Sequence, residues 1–201
     1  MKAYRAILVS ALLAGSMLGF SQSNPVAYRA ATPAPTAKIL ADAEAQAKAS
    51  GRNVLVIFHA SWCGWCKRLD KFMTDPKFQP IFDKNFVTVK LTVLEDDKHK
   101  SDENPGGLEE MDVLGGRDAG LPLFAVLDPS GKTIITSMRP SDDGKSANTG
   151  FPAASEEIDH FVVMMKKGAP KISDDQVHEM QKYLVAAEVA RKAAAANNGG
   201  H

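Results

Sequence analysis

Cysteine is almost missing from this chain: only two occur among 201 residues, Cys63 and Cys66. Two thiols cannot build the multi-bridge framework of a small stapled domain. With 44% hydrophobic residues, a chain of this length buries a core without one. An excess of charge is missing as well. Lys and Arg number 24, and so do Asp and Glu, so no net positive field exists to hold a phosphate backbone. That argues against general nucleic-acid binding, and no basic cluster is longer than the pair Lys166-Lys167. No internal repeat is found. Long hydrophobic runs are scarce, and the run from Ala6 to Phe20 falls short of the roughly 20 residues a membrane span needs.

That run has other features. Lys2 and Arg5 precede it, and the small residues Gly19, Ser21 and Ser23 follow or close it. Charge, length and flank predict a secretory signal peptide over residues 1–23, cleaved near Ser21 or Ser23. No cysteine lies near the exit, which excludes a lipoprotein. The expected localisation is periplasmic or secreted, with no stable membrane insertion after cleavage. Such compartments are oxidising, and two nearby thiols pair there.

The Pro/Ala/Thr stretch at 24–36 reads as a linker. Ala37 to Ser50 has helix composition, and Gly51 closes it. Asn53 to His59 is a continuous β-branched and aromatic run, short enough for a strand buried on both faces. Cys63 to Met73 places Cys66, Leu69, Phe72 and Met73 on one face of an amphipathic helix. Phe78 to Phe82 predicts a short helix, Asn85 to Leu94 a second strand, Glu95 to Gly107 a polar loop and Leu108 to Leu114 a brief helix. Leu121 to Leu127 and Thr133 to Met138 predict a hairpin around Asp128-Pro129-Ser130-Gly131. Arg139 to Pro152 reads as loop.

Ser155 to Lys167 has an apolar stripe at Ile158, Phe161, Val162 and Met165. The predicted domain spans 37–170, followed by a C-terminal helix at 171–196 and a disordered tail at 197–201. That helix carries Val177, Met180, Leu184 and Ala187 on one face. The fold class is α/β: a central mixed sheet flanked by helices, with an extra N-terminal helix and a C-terminal helical extension. A βαβ crossover forms its first half.

The two cysteines sit in "SWCGWCKRL", where an apolar strand gives way to a helix. A redox pair, half of a metal site and a structural staple all begin with such spacing. At a helix start, backbone N–H groups and the dipole stabilise a thiolate at Cys63. Cys66 lies one turn further on the same face, close enough for a disulfide. The expected geometry is one exposed nucleophile, Cys63, and one sheltered resolving thiol, Cys66. Zinc takes four ligands or three plus water, and no second cysteine pair exists. Lys67 rather than histidine follows Cys66, so the c-type haem signature fails. The acids from Glu95 to Glu110 lack calcium-loop spacing and read as a solvated loop. No metal site and no cofactor are expected.

"WCGWCK" after an apolar strand, with "GLPLFAVLDPSGK" downstream, resembles the thioredoxin-like superfamily. The closer resemblance is to exported single-domain members, themselves similar to the C-terminal domain of the bacterial transmembrane disulfide reductase. The resemblance covers roughly Thr36 to Pro170. It implies a thioredoxin-like fold, with Cys63 attacking and Cys66 resolving. Trp62 matches the tryptophan flanking the active site, Pro122 the cis-proline, and Leu121 the residue whose backbone meets a bound peptide. Gly64 and Trp65, between the cysteines, stand where thioredoxin has Gly-Pro. Ile57 stands in place of a buried aspartate, and His59 in place of another tryptophan. Lys90 matches a lysine of that site. With the acid gone, His59 and Lys90 are candidates for proton handling, while Trp62, Gly64, Trp65, Leu121 and Pro122 are candidates for substrate binding.

The implied activity is that of an exported thiol–disulfide oxidoreductase acting on protein or peptide thiols and disulfides, with a membrane disulfide reductase as electron donor. The alternative is a non-catalytic binding module of the same fold whose disulfide is structural.

Overall fold

The computed structural model describes residues 32–141 and 144–198. The expected signal peptide, positions 24–31 of the expected linker and positions 199–201 of the expected tail lie outside the described residues.

Strands β1 (Asn53–His59), β2 (Phe86–Thr92), β3 (Leu123–Leu127) and β4 (Thr133–Thr136) form one sheet in the order β2-β1-β3-β4. β1 runs parallel to β2 and antiparallel to β3, and β3 is antiparallel to β4. Parallel neighbours need a crossover. Helices α2 (Gly64–Met73) and α3 (Gln79–Asn85) provide it between β1 and β2. Helix α1 (Thr36–Ser50) ends on Gly51, whose φ of 61° is the left-handed conformation that suits glycine.

Side chains alternate across a strand, so β1 feeds two cores. Leu55 and Ile57, with Phe124 and Val126 of β3, face the side of α2, α3, α5 (Ser155–Gly168) and α6 (Asp174–Asn198). Val54, Val56 and Phe58 face α1 and α4 (Gly107–Val113), where Leu40, Ala43 and Met111 meet them. Phe72 of α2 is the hub of the first core, with ring centroids 5.0 Å from Phe78, 5.8 Å from Phe161 and 5.4 Å from Tyr183. Through Tyr183, Val177, Met180 and Leu184, α6 is part of that core. Among the described residues, no helix is long and apolar enough to cross a membrane.

Three local expectations change. Thr133 to Met138 is not one strand: β4 ends at Thr136, and β5 (Met138–Pro140) pairs with β6 (Ser146–Asn148) in a separate two-stranded sheet. Ser137 causes the break, because its hydroxyl oxygen accepts from Phe124 N–H at 3.0 Å where a backbone carbonyl would continue the ladder. Arg139 to Pro152 is therefore not all loop. Finally, Asn197 and Asn198, expected in a disordered tail, still belong to α6, as the alanines before them favour.

Candidate active site

β1 ends at His59, and the chain turns through Ala60-Ser61-Trp62 into Cys63, the N-cap of α2. N-caps normally offer a side-chain oxygen to an unpaired helix N–H. Here a sulfur does so: Cys66 N–H donates to Cys63 Sγ at 3.1 Å. The two residues are disulfide-bonded, with Cα atoms 5.3 Å apart. In the reduced pair, the same N–H and the helix dipole favour a thiolate on Cys63.

The expected contrast in exposure is not found. Cys63 is 3% exposed and Cys66 8%, because Ala60 and Leu121 pack over both sulfur-bearing residues. The asymmetry between them lies in their neighbours.

The tryptophans on either side are open to solvent, Trp62 at 57% and Trp65 at 42%. Trp62 Nε1 donates to Leu94 O at 2.8 Å. Trp65 lies between Phe151, stacked at 6.1 Å, and the Arg68 guanidinium, 4.5 Å from its ring centre. Gly64 faces open space, since an added Cβ would meet nothing within 4 Å. Leu121 packs against the disulfide, Pro122 is buried, and the peptide joining them is cis.

Behind Cys66 lies a cavity of about 170 Å³, lined among others by Ile57, His59, Asp70 and Lys90. Strand geometry explains the company. His59 follows Ile57 by two residues and so shares its face, and Ile57 pairs in register with Lys90 of the parallel neighbour. Asp70 is one turn beyond Cys66 on α2, and its carboxylate is ion-paired with Lys90 Nζ. His59 Nε2 is 3.4 Å from Thr92 Oγ1. Burial first, and the Lys90 charge second, hold the His59 imidazole below its ordinary pKa, so it is neutral at pH 7. Asp70 went unnoticed in the sequence, although its spacing from Cys66 already put both on one helix face.

Glu95 was missed more completely. Expected in a solvated loop, it is buried. Its carboxylate accepts from Ser61 N–H at 2.5 Å and from Ser61 Oγ–H at 2.7 Å, while its own N–H donates to Glu103 Oε1 at 2.8 Å. Leu94 just before it has φ 56°, a left-handed conformation that costs a non-glycine residue about 1–2 kcal/mol. This turn directs Leu94 O to Trp62 and the Glu95 carboxylate to Ser61, bracing the loop ahead of Cys63. Among the described residues, no group of three or more His, Cys, Asp and Glu side chains converges to hold a metal.

Fold and site together define a class: a thioredoxin-like domain carrying a Cys-x-x-Cys disulfide at a helix start. Residues 36–129 match the family model described as thioredoxin-like. The chain is 30% identical over 121 residues to a protein disulfide-isomerase of Hordeum vulgare, covering 60% of this chain and 20% of that protein. It is 32% identical over 109 residues to a protein disulfide-isomerase of Zea mays, covering 51% and 18%. It thus spans about a fifth of the length of these curated relatives. A solved disulphide isomerase from Xylella fastidiosa Temecula1 is 21% identical with a TM-score of 0.44, covering 82% of this chain and 98% of that one.

Proposed function

We propose that the protein is an exported thiol–disulfide oxidoreductase that exchanges disulfides with protein or peptide substrates through Cys63 and Cys66. The observation that carries this is the Cys66 N–H directed at Cys63 Sγ from the first turn of α2. In the reducing direction, the Cys63 thiolate attacks a substrate disulfide, forms a mixed disulfide and expels one substrate thiolate. The Cys66 thiol then loses its proton and attacks Cys63 Sγ, expelling the second substrate thiolate. Two electrons pass from the pair to the substrate, and the Cys63–Cys66 disulfide remains. The proton leaves Cys66 toward the cavity holding His59, Asp70 and Lys90. The reverse sequence oxidises a substrate dithiol. A membrane disulfide reductase is the electron donor that suits an exported reductant, and Trp62, Gly64, Trp65, Leu121 and Pro122 form the surface toward substrate. The charge and apolar pattern of residues 1–23 supports the export part of this reading.

Trapping tests the assignment. A Cys66→Ser variant incubated with disulfide-bonded peptides should accumulate mixed disulfides through Cys63, and Cys63→Ser should not. Equal yields in both variants would sink it. Burial of both cysteines favours a second reading, a binding module whose disulfide is structural. Mild dithiothreitol separates the two, because a redox pair opens rapidly and a staple resists.

A further inference from the structure

The small β5–β6 sheet ends on Asn148, whose half-buried side chain has four hydrogen-bond partners. Nδ2 donates to Gly120 O at 2.5 Å and to Pro122 O at 3.0 Å. Oδ1 accepts from Ser137 Oγ–H at 2.7 Å and from Gly150 N–H at 3.2 Å. Donor and acceptor needs dictate this orientation. Ser137 Oγ already accepts from Phe124 N–H, so its single proton goes to an oxygen, and the amide nitrogen is left to face two carbonyls. Asn148 thereby links β3, through Ser137, to the loop before it.

Gly120 and Pro122 flank Leu121, which packs against Cys63 and Cys66. Both neighbouring carbonyls are engaged, while the N–H and C=O of Leu121 have no backbone partner among the described residues. A groove of about 390 Å³, bounded by Trp65, Leu121, Asn148 and Phe151, leads away from this point.

We infer that Asn148 is a positioning residue for substrate: by holding Gly120 O and Pro122 O, it aims the Leu121 peptide groups at an extended, disulfide-bearing peptide beside Cys63. This rests on the exchange activity proposed above. The Oδ1 contacts go to Ser137 and Gly150, which adjoin the β5 and β6 strands. The two Nδ2 bonds go to a loop outside any helix or strand, and they are the part that bears on substrate.

Asn148→Asp tests them, because it keeps the Oδ1 acceptor, loses both donors and sets a carboxylate oxygen against the two carbonyls. With a disulfide-bonded peptide, KM should rise about tenfold, the size set by one or two neutral hydrogen bonds, while kcat changes less than about twofold. With cystamine, which has no peptide strand to align, kcat/KM should fall less than about twofold. Asn148→Ala should match the KM effect and lower the Tm as well. Amide exchange gives a readout independent of turnover: the Ala119 amide, which donates to Gly116 O, and the Leu123 amide at the start of β3 should exchange about tenfold faster in Asn148→Asp, with β1 unchanged. Equal losses on peptide and cystamine, an unchanged peptide KM, or unchanged amide exchange would each overturn the inference. A wild-type protein that turns over neither disulfide overturns the exchange reading and the substrate role of Asn148 with it. The amide exchange then decides whether the clamp on the loop exists.

Discussion

The two sulfurs of one disulfide face different surroundings. Ala60 and Leu121 pack against both residues, and in the loop ahead of Cys63 the carboxylate of Glu95 is engaged with Ser61. On the Cys66 side, a cavity brings together His59, Lys67, Asp70 and Lys90. An attacking thiolate needs a lowered pKa, which a helix N-terminus supplies through backbone N–H groups without a titrating neighbour. A resolving thiol must give up its proton at the right moment, and side chains able to carry protons sit where it is. In the proposed mechanism, the division of labour in this pair rests on what surrounds each sulfur, since exposure barely differs between them.

Breaking the Cys66 side should have the largest effect. Asp70→Asn removes the carboxylate paired with Lys90, and general acid–base help is worth about a hundredfold or more. Resolution of the mixed disulfide at neutral pH should slow by about tenfold to a hundredfold, with the initial attack unchanged. Acid-quench kinetics read both steps, and equal slowing would erase the distinction between the sides.

The Cys63 side should respond in stability before chemistry. Glu95→Gln turns a carboxylate that accepts from Ser61 N–H and Oγ into a neutral amide with one acceptor. A loss of about 1–2 kcal/mol is expected in urea unfolding, with resolution by Cys66 unaffected. A variant as stable as the parent would mean that Glu95 does not brace the loop.

The smallest effect sharpens the role of His59. Burial and Lys90 make its imidazole harder to protonate in the fold than in the unfolded chain. The unfolded state therefore binds more protons as the pH falls through about 6.5, so the stability given by neutral His59 is present above that value and lost on acidification. His59→Gln should flatten this part of the pH dependence, measured by urea melts between about pH 7.5 and 5. The pH–rate profile of thiol exchange should shift in the same variant, and an unchanged profile removes His59 from proton handling.

Much of the frame was legible in the amino-acid order. Helix α2 and the stripe of α5 came from periodicity, strand β1 from a continuous β-branched and aromatic run, the end of α1 from Gly51 and the start of α2 from Cys63. The splitting of Thr133 to Met138 was not legible, because nothing local distinguishes Ser137 from any other strand serine. Its hydroxyl takes over a ladder bond only because Phe124 and Asn148 lie beside it.

The sequence by itself determined the α/β layout, the place of Cys63 at a helix start, and the company of His59 and Ile57 on one strand face. Those are consequences of periods of 3.6 and 2 residues, which act over a turn or a strand. Only the tertiary structure decided that Asp70 pairs with Lys90, that Glu95 is buried against Ser61, and that Asn148 holds the loop around Leu121. Each of these contacts joins residues at least 20 positions apart. A side chain's partner at that distance is set by where the packed sheet brings the chain back, and no local pattern records it.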